Sequence, residues 1–299
     1  VDPGKFPESK YKKLATAYAE FLVPYIGPEK DVPGPDLNTD ERLMDLIRKV
    51  YEKKNGVKAP AVSTGKSLKK GGLVGRTEST GLGGFFVFSA YAKKKGLKPS
   101  GTTIAIQGFG NVGYWLARYA TRAGYRVVAL SDSQGGVYNP SGLNPDDLLS
   151  QKEKGTLKRN ITNSELLELP VDVLIPAALE NVINKDNMRS IKAKVIFEMA
   201  NGPTTSEADQ YLFKKGVDIV PDILANAGGV TASYFEWKQN MTGAKWNIKK
   251  VETELRKIML TAFNDLYGAA KKKKISYRKA AGYLAVKRIA DAMMSKGIL

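Results

Sequence analysis

Residues 102–113 read Thr-Thr-Ile-Ala-Ile-Gln-Gly-Phe-Gly-Asn-Val-Gly, and no other stretch restricts the fold as tightly. A short β-rich run ends in Gly108, Gly110 and Gly113, and a helical pattern from Tyr114 to Ala123 follows at once. Strand, glycine turn and helix in that order form a cradle for a pyrophosphate. Gly108 makes the tight turn, Gly110 lets the backbone approach the phosphates, and Gly113 lets the helix pack closely on its strand. Phe109, Asn111 and Val112 complete the turn and are assigned to the same cofactor contact. The free N–H groups and positive end of the helix then face the anion.

Glycine-rich turns also occur as plain strand–helix corners, so the pattern needs a second signal. The next run, Tyr125 to Leu130, reads as a strand ending at Asp132, about two dozen residues beyond Gly108. An acidic residue there can accept hydrogen bonds from the adenine-side ribose. The two signals in register predict a bound NAD or NADP. Asp132 favours NAD, because a carboxylate repels a 2′-phosphate. Ser131 and Ser133 could accept a phosphate and point the other way.

Strands and helices alternate after the fingerprint. Short apolar strands are expected at Val171–Pro176, Val195–Ala200 and Ile219–Val220. Helices are expected at Asn144–Glu153 and Ser206–Lys215, with Gly135-Gly136 as a turn opening a loop. This pattern predicts an α/β fold, a Rossmann-like doubly wound parallel sheet covered on both faces. A long helix is expected from Asn226 through Trp237, then helices at Lys249–Ala269 and Ser276–Ser295. Before the fingerprint, helices are expected at Pro7–Tyr25, with Leu14, Tyr18, Phe21 and Leu22 on the shared apolar face, at Thr39–Lys54 with Thr39 as N-cap, and at Leu82–Lys95. Residues 1–75 contain almost no strand material. They are expected to be the later part of a substrate domain whose sheet lies upstream of Val1. The expected divisions are 1–80 for that part, 81–240 for the dinucleotide-binding domain and 241–299 for helices returning to the first.

The chain of 299 residues contains no cysteine and no histidine. Disulfides, thiolate metal sites and cysteine nucleophiles are thereby excluded, no metal site is expected, and catalysis must rest on Lys, Asp, Glu, Arg or Tyr. The formal charge is +17. Scattered lysines read as a solvated surface that also attracts anionic substrates; no nucleic-acid module accompanies them. No run of about 18 apolar residues suggests a membrane span. Val1–Lys10 resembles neither a signal nor a transit peptide. The absence of cysteine fits a reducing cytoplasm, with a processed organellar protein as the alternative.

Several residues outside the fingerprint could carry chemistry. Asp36 lies in the loop Asp31–Asn38, where prolines fix φ and would hold a carboxylate in place; it also reads as a turn residue. Arg76, at a helix start, can hold a carboxylate bidentately, or make a surface ion pair. Thr80 by itself reads as a helix cap before it reads as a ligand contact. Asn201 and Asn226 each lie just beyond an expected strand, where open α/β sheets bind ligands, and Val230 and Ser233 follow one turn apart. Ordinary loop chemistry is the alternative for both asparagines.

Together these stretches resemble the glutamate dehydrogenase branch of the glutamate/leucine/phenylalanine/valine dehydrogenase family. The matching segments are Asp31-Val-Pro-Gly-Pro-Asp36, Thr64-Gly-Lys66, Gly71-Gly72, Gly75-Arg-Thr-Glu-Ser-Thr-Gly81, Gly108–Gly113, Ser131-Asp-Ser133, Ala200-Asn-Gly-Pro-Thr-Thr205 and Asn226-Ala-Gly-Gly-Val230 with Ser233. The resemblance implies reversible oxidative deamination of L-glutamate to 2-oxoglutarate and ammonium with NAD or NADP, in a hexamer. It assigns Asp36 to proton transfer at the substrate nitrogen, and Arg76 and Ser233 to the substrate carboxylate, with Val230 lining the pocket. It assigns Thr80 and Asn226 to the nicotinamide carboxamide and Asn201 to the nicotinamide side.

The family also carries a catalytic lysine shortly before the Val-Asp-Pro that stands here at Val1–Pro3, and further substrate-binding lysines upstream. If residues 1–299 are the whole polypeptide, the expectation is cofactor binding with little deamination. The competing reading is a catalytically idle dinucleotide-binding subunit.

Overall fold

The computed structural model describes residues 7–36 and 39–298. The chain divides into two compact units. One comprises the described residues of Val1–Ser79 together with Gly229–Leu255; the other comprises Thr80–Gly228 and Arg256–Leu299.

The second unit is built on a six-stranded sheet. Its strands are β1 (Thr103–Gln107), β2 (Arg126–Asp132), β3 (Gly135–Tyr138), β4 (Val173–Pro176), β5 (Val195–Phe197) and β6 (Asp218–Val220), in spatial order β3-β2-β1-β4-β5-β6. All pairings are parallel except β2 with β3. Consecutive residues Ile104, Ala105 and Ile106 are fully buried. Successive side chains of a strand point to opposite faces, so both faces of the sheet are covered, as the continuous apolar runs predict. One face packs Ala105, Val128, Leu174 and Ile196 against Leu166, Ala208 and Leu212.

β3 corrects one expectation. Gly135-Gly136 does not open a loop; it begins an antiparallel edge strand, with Asp132 paired to Gly135 and Leu130 to Val137. Two glycines masked the strand because they lack the β-branched side chains that signal one. Gly135 has φ +123°, which a residue with a side chain rarely adopts.

The helices of this unit are α3 (Ser79–Lys95), α4 (Asn111–Arg122), α5 (Pro145–Glu153), α6 (Asn163–Leu167), α7 (Ser206–Lys214), α8 (Asp222–Ala225) and α11 (Tyr277–Ser295), with most of α10 (Ile248–Lys273). Asn144 caps α5 and Ser276 caps α11 by accepting backbone N–H groups. α6 was not anticipated. It is started by a capping box in which Thr162 and Glu165 satisfy each other's backbone.

The first unit holds α1 (Glu8–Leu22), α2 (Glu41–Asn55) and nearly all of α9 (Gly228–Thr242). Among its described residues it has no strand, only an isolated bridge between Ile26 and Asp31. Two expectations are corrected here. Asp40, not Thr39, caps α2, its carboxylate accepting Arg42 N–H at 2.9 Å, while the Thr39 hydroxyl is engaged with Asp36. α1 packs through Ala15, Ala19 and Leu22 onto Leu43, Met44 and Ile47, leaving Leu14, Tyr18 and Phe21 exposed. Alanines permit the closer helix approach, and that outweighs the larger apolar face.

Candidate functional site

The fingerprint lies at the switch point of the sheet. β1 pairs with β2 on one side and β4 on the other, so a crevice opens at their carboxyl ends. Gly108 N–H bonds to Ser131 carbonyl at 2.9 Å and Ala177 N–H to Gln107 carbonyl at 2.7 Å, which fixes the rim. Gly108 has φ +115°, and a Cβ there would strike the Ala177 backbone. A Cβ on Gly113 would strike the Gly108 carbonyl, so α4 approaches β1 only because this residue is glycine. A Cβ on Gly110 would meet nothing within 4 Å. That open space beside an N-terminus with no side-chain cap suits an anion, as the dinucleotide requires. Asn111 and Val112 form the first turn of α4, while Phe109 is buried, its carbonyl accepting Lys152 Nζ at 2.9 Å. Gln107, also buried, leaves its Oε1 without a hydrogen-bond partner among the described residues at the crevice edge.

Asp132 ends β2, and its carboxylate is already gripped. Arg159 donates from Nε to Oδ1 at 3.1 Å and from Nη2 to Oδ2 at 2.7 Å; Lys152 Nζ lies 3.5 Å from Oδ2. Burial alone would raise its pKa. The Arg159 hydrogen bonds, the Gln134 N–H and the two cations together hold it below the usual carboxylate range. Ser133 is exposed beside it, and Ser131 is buried, bonded to Asn163 at 2.7 Å.

The structure brings Asn201 and Asn226 together. Asn226 Nδ2 donates to Asn201 Oδ1 at 2.7 Å. Asn226 does not lie on the long helix, as expected, but at the corner between α8 and α9. The Asn201 loop is held by Asp222, which accepts Gly202 N–H at 2.8 Å. Asp222 in turn meets Arg278, whose guanidinium also serves buried Glu198 at 2.7 Å and Asp209 at 3.0 Å. Thr80 sits in the first turn of α3 rather than capping it. Gly81 and Gly83 there let α3 lie against Trp115–Leu116 and against Gly228.

The first unit carries the other candidates. Val230 and Ser233 line a cavity of about 370 Å³ with Pro28, Lys30, Thr64 and Trp237. Arg76 is not in its lining. Its buried Nε has no hydrogen-bond partner among the described residues. Burial depresses the Arg76 pKa, opposed by the negative charge of Glu236. A buried guanidinium with an unsatisfied N–H is what a ligand carboxylate would complete. Asp36 is exposed at the end of the proline loop; the Thr39 hydroxyl accepts its N–H at 2.6 Å and donates to its carbonyl at 2.7 Å. Leu37 and Asn38, in the same expected loop, lie outside the described residues, as do Val1–Pro3.

Sequence reasoning did not single out Arg159, Lys152, Arg278, Asp222 or Glu236. Their partners stand far away in the chain, and only the Thr162-x-x-Glu165 capping pattern near Arg159 was readable.

A glycine fingerprint at the switch point of a doubly wound sheet, with paired amides beyond neighbouring strands, defines a dinucleotide-binding α/β protein. Residues 71–297 match the model of the Glutamate/Leucine/Phenylalanine/Valine dehydrogenase family, and residues 1–53 match the model described as Glu/Leu/Phe/Val dehydrogenase, dimerisation domain. The chain is 40% identical to the cryptic catabolic NAD-specific glutamate dehydrogenase GudB of Bacillus subtilis, over 99% of this chain and 70% of the relative. It is also 40% identical to the NADP-specific glutamate dehydrogenase of Synechocystis, over 99% and 73%. The crystal structure of the hetero-hexameric glutamate dehydrogenase of Thermus thermophilus, in its Leu-bound form, superposes with a TM-score of 0.94 at 34% identity, covering 100% of this chain and 72% of that one. The chain belongs to the glutamate/leucine/phenylalanine/valine dehydrogenase family.

Proposed function

We propose that the protein catalyses the reversible oxidative deamination of L-glutamate to 2-oxoglutarate and ammonium, using NAD or NADP. When bound, the dinucleotide supplies the hydride acceptor for deamination and the hydride donor for the reverse. Arg76 would bind a substrate carboxylate through its unsatisfied N–H, and Ser233 Oγ would donate to the same group. Val230 forms the wall of the pocket. Asp36 Oδ would take a proton from the substrate nitrogen and return it in the reverse direction. Thr80 and Asn226 would hold the nicotinamide carboxamide, with Asn201 beside the ring, and the Gly108–Gly113 turn would hold the pyrophosphate. Water then hydrolyses the substrate imine.

The observation that carries this reading is the buried, unsatisfied Nε of Arg76 in the unit that also holds Ser233 and Asp36. On this reading the Asp36–Arg76 unit is the substrate domain and the sheet unit the cofactor domain. We propose a homo-oligomer of six subunits; the hetero-hexameric neighbour supports the number of subunits and not their identity. Among the described residues no helix is long and apolar enough to cross a membrane. A cytoplasmic location is proposed separately, on a cysteine-free composition that fits a reducing compartment. An idle dinucleotide-binding subunit is not favoured, because the relatives are named as dehydrogenases. Steady-state turnover of glutamate with each cofactor tests the assignment. Cofactor binding without turnover by the full-length protein would sink it.

A further inference from the structure

Helix α9 carries Ser233 and, one turn on, Glu236, whose side chain is completely buried. Residues three apart share a helix face. Glu236 Oε2 accepts Gly65 N–H at 2.9 Å, and Oε1 accepts Lys66 N–H at 3.2 Å and Lys66 Nζ at 2.7 Å. The Lys66 side chain is equally buried, and its ammonium also donates to the Ser63 carbonyl. One carboxylate therefore takes both backbone donors of the turn and the cation that follows them. Gln239 and Asn240, further along the same helix, hold the next part of the segment through the Gly71 carbonyl, at 3.1 and 2.8 Å.

That turn supports the proline loop. Thr64 N–H donates to the Pro33 carbonyl at 2.9 Å. Gly65, at φ +77°, lies so close to the Pro35 ring that a Cβ would collide with it. Asp36 is the next residue. The chain of contacts runs from Glu236 to Gly65, from Gly65 to Pro35, and from Pro35 to Asp36.

We infer that Glu236 is a positioning residue for the deamination: it clamps the Thr64–Lys66 turn so that the Asp36 carboxylate is held at a fixed place relative to Ser233 on its own helix. A buried ion pair is often replaced by apolar residues of similar volume without loss of stability. Here the carboxylate also accepts two backbone N–H groups that an apolar side chain could not satisfy. The inference rests on the assignment of proton transfer to Asp36.

The test uses the full-length protein and the double variant Lys66→Met/Glu236→Leu, which removes both charges together and so limits the cost of an unpaired one. The expected result is a kcat for glutamate at least tenfold below the parent with unchanged affinity for the dinucleotide. Glu236→Gln, which keeps an acceptor oxygen, is expected to recover part of that loss. Hydrogen exchange of segments 31–36 and 61–67 should be at least tenfold faster in the double variant, while β1 and β4 keep the parent's protection. A double variant with kcat within twofold of the parent, or with unchanged exchange in both segments, overturns the clamp. If it fails to fold, Glu236→Asp, which withdraws the carboxylate by one carbon, is read by the same two criteria. Asp36→Asn separates the two ideas. Full turnover in that variant sinks the role given to Asp36, while the exchange data still decide whether Glu236 clamps the turn.

Discussion

Arg159 grips Asp132 with two hydrogen bonds, Nε to Oδ1 at 3.1 Å and Nη2 to Oδ2 at 2.7 Å, and Lys152 stands 3.5 Å from the same carboxylate. A free carboxylate at the end of β2 would repel a 2′-phosphate. Here two cations offset it, and the exposed Ser133 hydroxyl stands beside them. The NAD-specific and NADP-specific relatives are equally similar to this chain, so overall identity does not decide between the cofactors. We expect apparent affinities for NAD and NADP within about tenfold of each other at low salt. Arg159→Ala should weaken NADP binding by about tenfold or more and spare NAD. A fluorescence titration with both reduced cofactors reads this, and an equal loss for both would refute it.

The fingerprint glycines should fail in different ways. Gly110→Ala adds a methyl to open space, so the fold should keep its melting temperature, yet the methyl stands where the pyrophosphate must approach. Gly113→Ala drives a methyl into the Gly108 carbonyl and must displace α4, at a cost of about 1–3 kcal/mol. Thermal unfolding without cofactor, set beside a cofactor titration, separates the two. Tight binding by Gly110→Ala would remove the pyrophosphate from this turn.

How much of this was legible in the sequence follows from the range of each interaction. The fingerprint, the strand before it and the helix starts near Asn144 and Ser276 are local patterns, and the structure has them where the residues indicate. Asp132 was readable as an acid at a strand end, but not as the partner of Arg159, 27 positions away across the loop after α5. Glu236 meets Gly65 across 171 positions, and only the fold creates that contact. β3 was hidden by its glycines, and the packing face of α1 by its alanines. Both are cases where tertiary packing overrode local apolar content.

Arg278 should make stability pH-dependent. Its guanidinium serves Glu198, Asp209 and Asp222, and Glu198 is fully buried. Burial raises the Glu198 pKa, and the Arg278 charge opposes that rise. With its folded pKa above the unfolded value, Glu198 favours folding at low pH, and that contribution is lost as pH climbs through the raised value. Arg278→Gln raises the carboxyl further and leaves it unpaired. The variant should lose about 3 kcal/mol near neutrality. The deficit should shrink on acidification, as Glu198 takes up a proton. Urea unfolding from neutral pH downward checks the sign; a deficit that grows on acidification would exclude Glu198 as its source. The Asn201 loop is tied to Arg278 through Asp222 and Gly202, so weaker cofactor binding should accompany the loss.

Arg76 and Ser233 should divide recognition of the substrate between charge and geometry. Arg76 offers a buried N–H with no partner among the described residues, and a guanidinium can hold a carboxylate in two parallel bonds. Lysine keeps the charge but loses that fork. Arg76→Lys should therefore raise KM for glutamate by about tenfold or more, with the affinity for the dinucleotide unchanged. Ser233→Ala removes one neutral donor from the wall of the 370 Å³ cavity, and its cost should be smaller, about 1 kcal/mol or up to tenfold in KM. The comparison is made with glutamate and with an amino acid of similar length that lacks the side-chain carboxylate. If Arg76 meets that carboxylate, Arg76→Lys penalises glutamate and spares the neutral substrate, narrowing the preference between them. If it meets the α-carboxylate, both substrates lose equally. A KM for each substrate that stays at the parent's value would remove Arg76 from the site.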